Sequence, residues 1–134
     1  MPFARLTVAD PDLSIQTQQN LVEDITKLLA STLLKSPQVT VVSTVLAPRE
    51  QWFVAATPQT HATGAHLEVS ITAGTNTTDE KAAFLREAHR LLADTLHTLS
   101  PAVYVALHEL DASSWGYNGV SQLARREQDP SETD

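Results

Sequence analysis

The sequence predicts an α+β fold in which two tandem βαβ units form one four-stranded mixed sheet with both helices on one face. Three observations predict it: an internal duplication, an apolar stripe at helical spacing in each half, and β-rich runs on either side of each stripe. A chain of 134 residues normally supports one hydrophobic core. We therefore expect a single domain over residues 1–126, with pseudo-repeats at about 2–60 and 61–126, and a disordered acidic tail at 127–134.

The first half of the chain has the order strand, helix, strand. Phe3 to Ala9 and Val39 to Leu46 are β-rich, and Ser14 to Lys35 between them reads as a helix. The helix is predicted from apolar residues that recur every three to four positions, namely Leu21, Val22, Ile25, Leu28, Leu29 and Leu33. Residues 48–64 then lead to the second half as an extended linker or a short hairpin.

The second half of the chain repeats this order. Ala65 to Ala73 and Ala102 to Leu110 read as strands, and Thr77 to Leu99 reads as a helix. Thr77 and Glu80 have the spacing of a capping box, which fixes the start of a helix because each side chain satisfies a free backbone N–H of the first turn. The predicted apolar stripe consists of Leu85, Ala88, Leu92, Leu96 and Leu99.

Two of the predicted strands, Val39 to Leu46 and Val103 to Leu107, carry apolar residues on both of their faces. This pattern is typical of strands that are buried from both sides. Two helices can cover only one face of the sheet, so we expect the other face to be buried against further copies of the chain.

The composition argues against several classes of protein. Nine Lys and Arg against sixteen Asp and Glu give a formal charge of −7, which disfavours binding to nucleic acid. The chain has no cysteine, so thiol chemistry and cysteine-held zinc are excluded, and the spacing of the five histidines predicts no metal site. Because no window is apolar enough to span a membrane and no signal peptide is recognisable, we expect a cytoplasmic protein.

The candidate catalytic residue is Pro2, which directly follows Met1. A small residue in this position normally allows the initiator methionine to be removed, and the proline nitrogen would then be a secondary amine. An apolar surround or a nearby cation lowers the pKa of such an amine toward neutrality, where a general base works best. If Met1 stays attached, the same nitrogen is an amide with no basic lone pair.

Several motifs give residues 2–126 a resemblance to the tautomerase superfamily. They are Pro2-Phe3-Ala4, Lys35-Ser36-Pro37, Ser100-Pro101-Ala102-Val103-Tyr104-Val105 and Ser114-Trp115-Gly116-Tyr117-Asn118-Gly119. This superfamily includes 4-oxalocrotonate tautomerase, macrophage migration inhibitory factor, malonate semialdehyde decarboxylase and the 3-chloroacrylic acid dehalogenases. The resemblance implies a homotrimer of double βαβ chains that works without a cofactor, with Pro2 as acid or base in a pocket between subunits.

The resemblance also implies roles for side chains around Pro2. Lys35 matches a pocket lysine that helps to hold a substrate carboxylate, and Tyr104 matches a pocket tyrosine contributed by a neighbouring subunit. Trp52 matches an aromatic pocket wall, and Trp115 holds the same place in the second half. Plainer interpretations stay open: a helix-end cation for Lys35, core packing for Tyr104, and anchors at trimer contacts for both tryptophans.

The chain departs from the superfamily pattern where arginines are expected. Asp12 and Thr40 stand at two of these positions, and the turn at residues 72–75 contains no cation. An asparagine expected two residues after Tyr104 is here Ala106. A doubly anionic substrate would therefore lack its usual bidentate contacts.

The leading hypothesis is a cofactor-independent tautomerase or isomerase in which Pro2 moves a proton within an enol or α-keto acid. Lys35 would anchor or polarise the acid end, and Trp52 and Tyr104 would keep the proline neutral. Arg5 is a further candidate cation for the pocket. Strand alternation puts its side chain on the face opposite Ala4, so Arg5 is either a pocket residue or an edge-strand charge at a subunit contact.

Two other hypotheses stay open. A hydratase, dehalogenase or decarboxylase of a three-carbon acid would need a protonated Pro2 beside a cationic acid-binding pair, which the sequence lacks. A catalytically silent trimeric scaffold or binding protein would keep the fold without the reaction, and retention of Met1 would favour it.

Overall fold

Two βαβ units form one four-stranded sheet in the computed structural model, which describes residues 1–129. The elements are β1 (Phe3–Val8), α1 (Ile15–Leu33), β2 (Val41–Leu46), β3 (Phe53–Val54), β4 (Thr57–Pro58), β5 (Ala65–Thr72), α2 (Thr78–Thr95), β6 (Tyr104–Leu110), β7 (Gly116–Tyr117), β8 (Val120–Ser121) and α3 (Gln122–Gln128). Short 3-10 turns at Pro37–Val39 and Arg49–Gln51 precede β2 and β3. The predicted α+β fold with two βαβ units is confirmed.

The sheet has the order β2-β1-β5-β6 and joins the two halves through its central pair. Each half contributes a parallel pair, β1 with β2 and β5 with β6, whereas β1 and β5 run antiparallel. In this central register Phe3 lies opposite Ser70 and Val8 lies opposite Ala65. The start of β1 therefore lies beside the end of β5.

The core lies between one face of the sheet and the two helices. Alternate residues of β1 and β5 point into it, because successive side chains of a strand leave opposite faces: Ala4, Leu6, Val8, Ala65, Leu67, Val69 and Ile71. The helices supply Leu21, Ile25, Leu29 and Leu33 from α1 and Phe84, Ala88 and Leu92 from α2. The stripe predicted for the first helix is thus confirmed at its centre, with Val22 and Leu28 at its partly exposed edges.

The prediction for the second helix was partly wrong. Its capping box is present, since the Glu80 backbone N–H donates to the Thr77 hydroxyl and the Thr77 N–H donates to the Glu80 carboxylate. The buried residue of the first turns is Phe84, which lies four residues before Ala88, whereas Leu85 is 39% exposed. The helix also ends at Thr95 rather than near Leu99.

Each half ends in a small hairpin. Residues 48–64 contain the hairpin β3–β4, whose turn residues Ala55 and Ala56 both have positive φ angles. The second hairpin, β7–β8, turns at Asn118-Gly119, also with positive φ at both residues, as a two-residue I′-type turn requires. The sequence analysis did not predict this hairpin or α3, which continues to Gln128 and so includes the first two residues of the predicted tail. Residues 130–134 of that tail lie outside the described residues.

The face of the sheet that points away from the helices mixes charged and apolar side chains. Its centre carries Arg5, Glu68, His66 and His108, with the Glu68 carboxylate 3.4 Å from His108 Nε2 and 3.8 Å from His66 Nδ1. Exposed apolar side chains lie around this centre: Phe3, Val41, Val45, Tyr104 and Leu110. In the part of the chain that the structure describes, no helix has the length and apolarity needed to cross a membrane.

Truncation of the core side chain of Leu29, which is fully buried between α1 and the sheet, should destabilise the fold. We expect Leu29→Ala to lower the free energy of unfolding by about 2–5 kcal/mol, because transfer free energy is lost and a cavity remains. Urea denaturation measures the change. Ile15→Ala, on a side chain exposed at the start of α1, is the control and should change stability by less than about 0.5 kcal/mol. Equal effects of the two substitutions would contradict this description of the core.

Candidate functional site

A cavity of about 250 Å³ opens at the start of β1, and Pro2 lies buried in its wall. The residues that line it come from the two ends of the chain and from the start of β2: Met1, Pro2, Phe3, Val41, Trp115, Gly116, Tyr117 and Gln122. Most of these side chains are apolar. The Pro2 carbonyl accepts a hydrogen bond from the Val41 N–H at 3.3 Å, which ties the start of β1 to the start of β2.

Trp115 reaches this cavity because the antiparallel pairing of β1 with β5 brings the end of β5 to Pro2. Its indole Nε1 donates to the Thr72 hydroxyl at 3.1 Å, and Thr72 is fully buried at the end of β5. The next residue, Gly116, faces the backbone of Val120 so closely that a Cβ there would overlap it. Glycine therefore permits the tight β7–β8 hairpin that holds Trp115 and Tyr117 against the cavity.

Gln122 supplies a polar side chain to the otherwise apolar wall. It is 2% exposed, it begins α3, and its backbone N–H donates to the Trp115 carbonyl at 2.9 Å. Its side-chain amide can donate and accept hydrogen bonds at the cavity. The sequence analysis missed this residue together with α3.

Lys35 lies just after α1, outside this cavity. It is 4% exposed, and its Nζ donates to the Thr75 hydroxyl at 2.9 Å. The Thr75 hydroxyl in turn donates to the carbonyl of Thr72, at 2.7 Å, and the hydroxyl of Thr72 accepts from Trp115, so Lys35 is linked to Trp115 only through these two threonines. The role of Lys35 as a carboxylate anchor stays a prediction.

The charge of Lys35 also acts on the start of α2. The pKa of Glu80 lies below its ordinary value chiefly because the Thr77 backbone N–H donates to the carboxylate, and then because the Asn76 side chain does. The positive charge of Lys35 contributes in the same direction. An ionised Glu80 beside Lys35 therefore offsets part of the positive field of that lysine.

Arg5 lies on the face of the sheet that points away from the helices, opposite the buried Ala4. There it shares a small depression of about 180 Å³ with Phe3, Glu68, Ser70 and His108. It does not line the Pro2 cavity of its own chain. A role for Arg5 in substrate binding stays a prediction.

Tyr104 and Trp52 lie at the other end of the sheet from the Pro2 of the same chain. Tyr104 begins β6 opposite His66, near the start of β5, and is 72% exposed. Trp52 lies at the same end, because its indole packs on Gly64, the residue just before β5. The contact is so close that a Cβ at position 64 would overlap the ring. Either side chain could contribute to a Pro2 cavity only if that cavity belonged to another subunit.

Comparison with known proteins identifies the fold. Residues 66–125 match the sequence model of a family described as tautomerase enzyme. Pt0534, whose crystal structure was solved after inactivation by 2-oxo-3-pentynoate, is 16% identical with a TM-score of 0.81 over 92% of this chain and 98% of its own. The chain therefore shares the fold of Pt0534, and its second half matches the tautomerase family model.

Two further solved structures extend this tautomerase likeness. A fused 4-OT wild-type symmetric trimer is 17% identical with a TM-score of 0.80, covering 92% of this chain and 98% of its own. A macrophage migration inhibitory factor-like protein from Entamoeba histolytica is 15% identical with a TM-score of 0.73, covering 90% and 97%. No curated protein sequence matches the chain.

The tautomerase fold brings together Pro2 and Trp115 among the residues predicted from the sequence. Tyr117 and Gln122 join them and were not among those predicted. The signal that could have found them is Asn118-Gly119, the strongest two-residue indication of a hairpin in a sequence. Among residues 1–129, no group of three His, Cys, Asp or Glu side chains is placed so that it could hold a metal ion.

Removal of the Thr72 hydroxyl tests how Trp115 is held. We expect Thr72→Val to lower the free energy of unfolding by about 1–3 kcal/mol, because the indole N–H loses its acceptor within the protein. The measurement is denaturant unfolding followed by tryptophan fluorescence. Thr57→Val, at an exposed position on the β3–β4 hairpin, is the matched control and should leave stability nearly unchanged. A Thr72→Val protein as stable as the control would refute the assigned role of this hydrogen bond.

Proposed function

We propose that the protein is a cofactor-independent tautomerase that uses Pro2 as a general base on an enol or α-keto acid. The observation that carries the proposal is the burial of Pro2 in the wall of a cavity with mostly apolar side chains. Such surroundings disfavour a positive charge and so lower the pKa of an amine placed there. An amine that is neutral near neutral pH can accept a proton from a substrate.

The proposal requires that Met1 be removed. While Met1 is attached, the nitrogen of Pro2 is an amide and cannot act as a base. Met1 lines the same cavity, so its removal would both free the nitrogen and enlarge the space beside it. A cavity of 250 Å³ that gains the volume of a methionine side chain falls in the range of about 300–1,000 Å³ that small-molecule sites occupy.

The proposed reaction moves one proton from oxygen to carbon. The neutral nitrogen of Pro2 takes the hydroxyl proton of the bound enol, which leaves an enolate. As the carbonyl forms, the electrons of the carbon–carbon double bond move to the neighbouring carbon, and that carbon takes the proton back from Pro2. The side-chain amide of Gln122 can donate a hydrogen bond to the enolate oxygen, where negative charge develops.

The shape and chemistry of the cavity support a substrate with a flat apolar portion. Phe3, Trp115 and Tyr117 offer aromatic surface that suits an aryl or alkenyl group. Support for an α-keto acid comes from Pt0534, a protein of the same fold that is inactivated by 2-oxo-3-pentynoate, which is itself an α-keto acid. We therefore choose phenylenolpyruvate as the test substrate.

Replacement of Pro2 tests the proposed base. We expect Pro2→Ala to slow the tautomerisation of phenylenolpyruvate by about 10²–10⁴-fold, the usual contribution of a positioned general base. The reaction is followed by ultraviolet absorbance, and intact mass determines whether Met1 is absent from each protein. Pro58→Ala, on the β3–β4 hairpin and away from the cavity, makes the same chemical change and should keep full activity.

Two outcomes would overturn the proposal. A Pro2→Ala protein with the wild-type rate would remove proline from the mechanism. An active wild-type protein that still carries Met1 would do the same, because an amide nitrogen has no lone pair to act as a base.

We also propose that the chain works as a homotrimer. Phe3, Val41, Val45, Tyr104 and Leu110 expose apolar surface on the sheet face away from the helices, which favours burial by another copy. The 4-OT structure of the same fold is a trimer. In such an assembly Tyr104 and Trp52, which lie far from the Pro2 of their own chain, could reach the cavity of a neighbour.

Sedimentation equilibrium tests the assembly. We expect the mass of three chains at micromolar concentration. Val45→Glu places an unpaired carboxylate on the exposed sheet face and should shift the protein toward the monomer. Ile15→Glu adds the same charge at the exposed start of α1 and should leave the trimer intact. A monodisperse wild-type monomer would refute the homotrimer.

A further inference from the structure

One carboxylate lies between two histidines at the centre of the sheet face that points away from the helices. Glu68 Oε1 is 3.4 Å from His108 Nε2, and Glu68 Oε2 is 3.8 Å from His66 Nδ1. His66 and Glu68 share this face because they are two residues apart on β5. His108 reaches Glu68 from β6, where its own opposite residue is Ser70. The pairing of β5 with β6 therefore fixes the cluster.

In the described part of the chain, the neighbouring strands add two further titratable groups to this face. β1 adds Arg5, which lies directly opposite Glu68 in the register, and β6 adds Tyr104. Glu109 of β6 leaves the other face of the sheet, where it pairs with Lys81 of α2. The sequence of β2, VVSTVL, contains no titratable side chain.

The net charge of this face depends on the two histidines. When His66 and His108 are neutral, the positive charge of Arg5 is balanced by the negative charge of Glu68. When both histidines are protonated, three cations stand against one anion, because a tyrosine hydroxyl adds no charge in acidic or neutral solution. One carboxylate cannot balance three cations.

The cluster is open to water in the single chain and would be covered in the homotrimer. The side chains of His66, Glu68 and His108 are 36%, 32% and 49% exposed. They lie inside the ring of exposed apolar side chains that favours burial by another copy. Burial disfavours the charged form of a group, and a buried cation without a counter-charge is strongly destabilising. With neutral histidines the balanced pair of Arg5 and Glu68 suits burial, whereas the protonated face does not.

We propose that protonation of His66 and His108 controls assembly, so that the homotrimer forms when both are neutral and separates into single chains as they take up protons. The inference rests on the homotrimer proposed above. Histidine is the side chain that changes its charge between about pH 5 and pH 8. Because the single chain then binds more protons than the trimer, raising the pH favours the trimer and lowering it favours the single chains.

Sedimentation equilibrium of the full chain tests the proposal in two solutions of equal ionic strength. They are buffered at about pH 7.5 and about pH 5.5, within the range in which histidine changes its charge. We expect the concentration at which half of the trimer has dissociated to rise by about tenfold or more in the acidic solution. Circular dichroism should show folded chains in both.

Variants of the histidines assign the effect. His66→Asn combined with His108→Gln puts an uncharged amide nitrogen in place of each ring nitrogen that faces Glu68, so this protein should stay trimeric in both solutions. Each single substitution should remove about half of the pH dependence, which keeps the test decisive if the double variant does not fold. His89→Gln, at an exposed position of α2, is the matched control and should keep the pH dependence of wild type.

Several results would overturn the inference. They are a wild-type trimer of equal stability in both solutions, a trimer that is lost in acid only together with the fold, and histidine variants that keep the full pH dependence. The first of these leaves the homotrimer itself intact. A folded single chain in both solutions would refute the homotrimer as well, so the two proposals can fail separately.

Discussion

The antiparallel pairing of β1 with β5 is the interaction on which the site depends. Each βαβ unit is a parallel pair with a helix across it, and the central pairing joins the two units. Because the two central strands run in opposite directions, the N-terminal end of the first unit meets the C-terminal end of the second. Pro2 thereby lies at the end of β5, where Trp115 donates to Thr72 and lines the same cavity. A parallel pairing of the same strands would have put Pro2 next to Gly64 and Trp52.

The two halves share one architecture, but their equivalent tryptophans have different surroundings. Trp52 and Trp115 occupy equivalent places, each after the last strand of its unit and before a short hairpin. Trp52 rests on Gly64 at the start of β5, where the chain continues from one half into the other. Trp115 instead lies at the start of β1, where the cavity is present. This difference explains why a duplicated fold has one tryptophan beside Pro2 and the other far from it.

The sequence was sufficient to predict the architecture because the signals for it are local and repeated. Alternating strands, two apolar stripes and a capping box each depend on residues a few positions apart. The inner face of α2 was misjudged because Leu85 and Phe84 are both apolar, and only packing decides which of two adjacent positions faces the sheet. Helix α3 has seven residues, too few for a stripe to be recognised. The placement of Lys35 could not be predicted because it depends on Thr75, far away in the sequence.

The chemistry of the Pro2 nitrogen is the central claim of this account, and a direct titration tests it. Protein labelled with ¹⁵N-proline is followed by nuclear magnetic resonance as the pH is raised, and the signal of Pro2 is assigned by its loss in Pro2→Ala. The account predicts a titrating amine whose pKa lies below the ordinary α-amino value of about 8, because the apolar cavity disfavours its charged form. A Pro2 signal that does not titrate, as for an amide, or that titrates at or above that ordinary value, would contradict it.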